Sequence, residues 1–471
     1  MSDLVSNVSL DALFRRNVSL REDQCALRDL DGTALTFKEV SAAVTNLAAQ
    51  IASFGMPRKS AVALLLPNGR ELAVALLAVM RCGHIPVPMP VAWRKSDLVR
   101  ACREAEIAAL VTTANFKPER LPELAADVAI EVFELSFPCA FGAPLPDGVL
   151  PLTIATNGDA ALAGAALSDE TAAGIGTMQP AGAGASLVIH SDDELLAAGL
   201  GAMLAGDVRP GDKIVSALSF ANFAGLATTF VPWLLSGGTL TLLADLPAKG
   251  APGFDGQTHV IGTAGLVPSL AALAELSLAS VFAVHFGGTS AKTSAPALNA
   301  KAVIDVVAIG EAAVIAMPRR ERGIVEAIPL GAIRAGNIGE AAPVIVEASA
   351  DNGRLQLRGA MVPKDALRDQ AWLDTGYSAK PSSRGGIYVI APAELIAIGG
   401  LRFDLFDLER RIRGSTLISE VIAEDAPLLG SRLVIASDRP EETAQALLGA
   451  GLPRVIAASA RAAHALKTKA G

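Results

Sequence analysis

Aromatic residues make up only 4% of the 471-residue chain, with two tyrosines and three tryptophans. Cysteine is almost as sparse. Cys25, Cys82, Cys102 and Cys139 contain no Cys-x-x-Cys pair, so a zinc or iron–sulfur site is not expected. So few cysteines in so long a chain fit a reduced, cytoplasmic setting. Basic side chains number 40 against 48 acidic ones, a net charge of −8, which argues against nucleic-acid binding. Charged residues total only 19% and hydrophobic ones 51%, which excludes disorder as a description of the whole. The opening stretch, MSDLVSNVSLDALFRR, lacks a basic segment followed by an apolar one, so no signal peptide is expected.

Residues 214–244 carry no charge and are long enough to span a bilayer. Ser216, Ser219, Asn222, Pro232, Ser236, Gly237 and Gly238 interrupt them, so they read as strand, buried helix, turn and strand instead. No membrane span is expected.

The length implies two to four domains or lobes at roughly 100–200 residues each. Thr36 and Glu39 have capping-box spacing, and Val40, Val44, Leu47 and Ile51 recur at helical intervals. Ala61–Leu66 reads as a buried strand, Glu71–Cys82 as a helix, Ile85–Val87 as a strand, Ser96–Ala105 as a helix and Ala108–Thr112 as a strand. This alternation implies a parallel sheet covered on both faces. Residues 141–183 are rich in Gly, Pro, Ala and Thr and read as a connection between two lobes. Alternation resumes with Leu187–His190, a helix over Asp193–Leu204, a strand at Ile214–Leu218, a helix over Ala221–Leu235 and a strand at Thr239–Leu243. His259–Gly262, Leu266–Leu276 and Ser280–Phe286 repeat it. Residues near 324–398 suggest a β-rich lobe, and 399–471 a shortened α+β C-terminal domain. The predicted class is therefore α/β, with two parallel-sheet lobes and a small β-rich lobe in residues 1–398.

Three stretches carry a family likeness. They are LTFKEVSAAVTNLAAQIASFGMPRKSAVALLLPNGRELAVALLAVMRCGHIPVPMP, GDKIVSALSFANFAGLATTFVPWLLSGGTLTLLADL, and WLDTGYSAKPSSRGGIYVI followed by GGLRFDLFDLERRI. In this order they resemble the adenylate-forming superfamily of acyl- and aryl-CoA synthetases, luciferases and peptide-synthetase adenylation domains. The resemblance implies a large N-terminal domain, a mobile C-terminal one, and joining of a carboxylate to the α-phosphate of ATP before transfer to a thiol. That chemistry needs phosphate-cradling amides, a nearby cation, a ribose anchor and magnesium.

Motif by motif, the chain departs from the family pattern. The phosphate loop corresponds to Met178–Ser186, where Ser186 stands in place of the lysine and only Gly182 and Gly184 remain to offer amides. A flexible linker is the preferred reading there. The aromatic-Gly-x-Thr-Glu motif corresponds to Val307–Glu311, of which only Glu311 survives. Glu311 reads as a vestigial magnesium ligand or, preferably, as a carboxylate at a helix start. The ribose-binding aspartate of Thr-Gly-Asp is Tyr377 after Thr375-Gly376, and a phenol is a poor substitute for that acceptor. Asp374 would serve only with a shifted turn, and the usual following arginine is Ala391. Gly287-Gly288-Thr289 matches the adenine loop. Glu394, Gly399, Gly400 and Arg402 match the hinge into the C-terminal domain. Asn222, Phe223 and Gly225 match the acyl pocket, with Asn222 equally suited to cap a helix. Lys467 and Lys469 are poor replacements for the family's lysine near the C-terminus.

Other features point elsewhere only weakly. His84, His190, His259, His285 and His464 lack metal-ligand spacing, and His190, His259 and His285 read as satisfied core histidines. Arg319, Arg320 and Arg322 read as a solvated surface cluster. The favoured expectation is a relative that does not adenylate, binding an acyl group, acyl-CoA or acyl-carrier protein, or partnering an active enzyme. No metal or cofactor is expected in that case. An active ligase using Mg·ATP and CoA, and a purely structural subunit in a homo-oligomer or hetero-complex, stand as alternatives.

Overall fold

The computed structural model describes residues 8–29, 31–116, 119–156, 174–181, 184–245, 254–290, 292–293, 295–337, 341–413, 420–426, 430–437, 439–449, 452–457 and 460–462. An eight-stranded sheet forms its centre. Across it run Ala313–Pro318, Ala300–Ile309, Leu278–His285, Thr258–Thr263, Lys213–Ser216, Thr239–Leu242, Cys25–Arg28 and Ala34–Thr36. Pairing is parallel except at the two edges, where short connections fold the last strand back. A second, all-parallel sheet orders Ile85–Pro88, Ala61–Leu64, Ile107–Thr113, Phe137–Phe141 and Leu150–Leu152. The strands Gly331–Arg334, Val344–Asp351, Arg354–Arg358, Leu373–Pro381 and Ile387–Ile390 make an antiparallel third sheet. This is the β-rich lobe.

Local sequence explains many of these elements. Thr36 accepts the Glu39 amide while Glu39 accepts the Thr36 amide, the reciprocal cap that starts the helix Phe37–Ala52. The same device, Ser191 with Glu194, starts the helix Asp192–Ala205. The scarce aromatics are concentrated: Phe14, Phe37, Phe230 and Trp233 pack ring against ring in the main core. No helix among the described residues is long and apolar enough to cross a membrane.

Several elements differ from expectation. The stretch read as a linker is strand at its end: Ile175–Ala181 and Gly184–His190 form an antiparallel hairpin, registered from Ile175 opposite His190 to Ala181 opposite Gly184. Residues 157–173 lie outside the described set. The expected helix over 221–235 is split into Phe223–Gly225, a π-helical turn Leu226–Phe230, and Val231–Ser236. Thr229 there spends its hydroxyl on Ser216 at 2.8 Å rather than on its own helix. The helix expected over 266–276 is only Val267–Ala271. The C-terminal sheet starts ahead of Gly399, because Leu395–Ile398 pairs with Leu401–Asp404 and reaches Gly430.

Candidate functional site

The site is assembled at the carboxyl end of the central sheet, where open α/β sheets present their ligand crevice. Glu311 lies in the tight turn between Ala300–Ile309 and Ala313–Pro318. Its side chain is fully buried. It starts no helix, so the expectation of a helix-start carboxylate is corrected: the antiparallel return of the edge strand leaves no room for one.

Three elements converge on this carboxylate. From the hairpin, Thr177 donates its hydroxyl to Glu311 Oε2 at 2.8 Å. From the split helix, the Phe223 amide donates to the same oxygen at 2.7 Å. From the strand after the Gly399–Gly400 turn, Arg402 forms an ion pair with Oε1. Charge-assisted bonds of this kind are the stronger class. The Arg402 side chain is only 5% exposed. Burial pulls its guanidinium down to about 10, still far above neutrality, and the facing carboxylate favours the charged form.

His190 completes the cluster. Its Nε2 lies 2.8 Å from Thr177 Oγ1. The Thr177 proton is already directed to Glu311, so the hydroxyl accepts from His190, which assigns the Nε2–H tautomer. Burial drives the imidazole down to about 3, so it is neutral. Its ring stacks on Phe223, with centroids 4.3 Å apart and planes 6° from parallel. The expectation of a satisfied core histidine holds for His259, bound by Ser280 and Asp212. It fails for His190, whose Nδ1 is buried without a partner.

Tyr377 meets the same turn. Its phenol accepts the Gly310 amide at 3.0 Å and is 3% exposed. Burial pushes it up to about 12. The phenol here acts as an acceptor to backbone. Thr375 donates to the Leu355 carbonyl. Asp374 lies at the surface, paired with Arg354 and accepting the Gly376 amide.

The remaining residues are structural in placement. Asn222 caps its short helix, accepting the Gly225 amide at 2.8 Å, and Asn222, Phe223 and Gly225 are packed in the interior. Gly287, Gly288 and Thr289 are pinned to the β-rich lobe: the Thr289 amide donates to the Val389 carbonyl at 2.7 Å, and the Gly287 carbonyl accepts from Ala391. Ser186 pairs with Gln179 inside the hairpin and Gly184 with Ala181, so this segment is a ladder instead of a linker or an open anion loop. Gly182, Lys467, Lys469 and His464 lie outside the described residues. Glu394 is exposed, and its carbonyl accepts the Leu405 amide. Gly399 and Gly400 form a turn with φ of 60° and 84°. Arg319, expected to be solvated, is buried on Asp305 at 2.6 Å. Arg320 lines a separate cleft of 650 Å³ with Arg384 and Tyr388.

A magnesium ion does not fit Glu311 as it stands. One oxygen takes two hydrogen bonds and the other faces a guanidinium. Among the described residues no group of three or more His, Cys, Asp or Glu could hold a metal. Sequence reasoning missed Thr177 and His190 as members of this cluster, and no local signal marks either.

Residues 14–141 match the family model described as AMP-binding enzyme. The chain is 39% identical over 75 residues to 4-coumarate–CoA ligase 5 of Oryza sativa subsp. japonica, covering 16% of this chain and 14% of that protein. It is 27% identical over 132 residues to a dimodular nonribosomal peptide synthase of Bacillus subtilis (strain 168), covering 27% and 6%. These matches therefore span a small part of each relative. Amide bond synthetase McbA from Marinactinospora thermotolerans superposes with a TM-score of 0.68 at 19% identity, covering 96% of this chain and 94% of that one. ATP-bound MatB from Rhodopseudomonas palustris gives 0.59 at 18%, covering 95% and 94%. The fold is the one these structures share.

Proposed function

We propose that this chain, an adenylate-forming fold whose residues 14–141 carry the AMP-binding enzyme match, is a relative that does not adenylate. One observation carries the reading: Glu311, the surviving magnesium-side carboxylate of the family pattern, is already neutralised by Arg402 from its own chain. Two others support it. The residue that the motif comparison matches to the ribose carboxylate, Tyr377, is a buried phenol, and the stretch it matches to the phosphate loop belongs to a paired hairpin. Removing a single preorganised donor commonly costs about 2.7–4 kcal/mol of transition-state stabilisation, and here several are altered together.

On this reading the protein acts through an acyl group, a thioester or an acyl-carrier protein, or as partner to an active enzyme. The scaffold argues for that ligand class; Asn222, Phe223 and Gly225 form packed interior and not an open acyl pocket. The free cysteines fit a cytoplasmic setting. The test is calorimetric titration with Mg·ATP, with AMP as control, beside ATP–pyrophosphate exchange over a panel of carboxylic acids. No binding at millimolar nucleotide and no exchange are expected. Micromolar binding, or exchange with any acid, would reinstate the ligase reading.

A further inference from the structure

The Arg402–Glu311 pair joins the C-terminal lobe to the rest of the chain, and other ties accompany it. The helix Leu405–Arg413 faces the helix Lys95–Glu104 across a crossed set of ion pairs. Arg411 reaches Asp97 at 2.6 Å and Ser96 at 2.8 Å, while Arg100 reaches both Asp407 oxygens at 3.1 and 3.2 Å. Arg454 reaches Glu119 at 2.9 Å. Between these ties the Gly399–Gly400 turn lies over the ends of two central strands. A Cβ on Gly400 would meet Thr263 at 3.2 Å and Phe286 at 3.3 Å. The lobe thus covers the crevice and places a guanidinium inside it.

We propose that Arg402 is a tethered cation that takes the place a divalent ion would hold on Glu311, and thereby fastens the C-terminal lobe as a fixed lid. A buried carboxylate needs a positive partner, because an unpaired charge in the interior is expensive. Arg402 supplies that charge from within the chain, at fixed stoichiometry and with no loss of a free ion's entropy. The consequence is a coupling: withdrawing Arg402 strips Glu311 of its counter-charge and loosens the lid at the same time. The inference uses the same ion pair as the non-adenylating reading but does not depend on it. A lid of this kind is compatible with nucleotide binding elsewhere in the crevice.

The experiment uses the full chain with Mn(II) as the probe, and hydrogen exchange over residues 395–413 as the readout of the lid. The wild type is expected to bind no Mn(II) at millimolar metal and to protect those amides. Arg402→Ala should exchange there at least about tenfold faster, equivalent to losing about 1.4 kcal/mol of opening free energy. Arg402→Lys should keep the protection. Arg402→Met with Glu311→Gln removes both charges, so it stays folded where the single variant does not. It should bind no Mn(II) yet still lose protection. Wild-type Mn(II) binding with the lid protected would overturn the proposal. So would a folded Arg402→Ala or double variant whose exchange matches wild type. Nucleotide binding by wild type with residues 395–413 still protected would sink the non-adenylating reading and leave the lid standing.

Discussion

Replacing Thr177 by valine isolates the hydroxyl that links His190 to Glu311. The side chain is fully buried, and valine nearly fills its volume, so the perturbation is polar rather than steric. Two groups lose a partner. His190 keeps an Nε2–H that donated at 2.8 Å, and its other nitrogen is already unpartnered. Glu311 Oε2 loses one of its two donors. A buried group left unsatisfied costs about 1–3 kcal/mol, and a hydrogen bond to a charged group contributes about 1.5–3 kcal/mol. The combined loss should be about 2.5–6 kcal/mol, a large part of a typical stability of roughly 5–15 kcal/mol. Thr177→Ser keeps the hydroxyl and removes one methyl, for about 1 kcal/mol. Urea unfolding compares the three proteins. Hydrogen exchange at the Phe223 amide runs in parallel, because a chain of several lobes need not unfold in one step. Nitrogen NMR on wild type should report His190 neutral with the proton on Nε2. Equal losses for valine and serine, or a proton on Nδ1, would refute the directed chain from His190 through Thr177 to Glu311.

Asp192 has one buried oxygen without a partner, and burial lifts its carboxyl from 3.8 to about 6, against the Leu10 amide that opposes the rise. Its contribution is therefore fully present below about pH 3.8 and lost as pH rises through 6. Asp192→Asn should be more stable than wild type at pH 8 by roughly 1–3 kcal/mol and equal to it near pH 4, as checked by unfolding across that range. Gly288 has φ of 97°, and a Cβ there would overlap the Val389 carbonyl, so Gly288→Ala should lose at least about 2 kcal/mol in thermal unfolding. Gly287 has open space at its Cβ, so Gly287→Ala is the control and should lose less than about 1 kcal/mol. Burial pushes the thiols of Cys82, Cys102 and Cys139 up to about 12 each. A thiol-reactive dye at pH 8 should therefore leave all three unlabelled until the protein is denatured.

Much of the scaffold follows from local pattern. The Thr36–Glu39 cap, the apolar runs of the parallel strands, and the glycines that turn the chain at 399–400 act over a few residues, and each forms as its spacing requires. The hairpin at 175–190 does not announce itself, because alanine, glycine and proline are all depleted in strands and only pairing across the turn makes them strand. The candidate site is a matter of tertiary structure altogether. Glu311 is visible in the sequence as an isolated carboxylate, but the partners that decide its chemistry lie 134 residues away at Thr177 and 88 away at Phe223, with Arg402 arriving from another lobe. Local spacing determines which residues can form a helix or strand. Which charge is buried against which is set by sheet order and lobe packing, because the cost of an unpaired interior charge is met only by groups that the fold brings together.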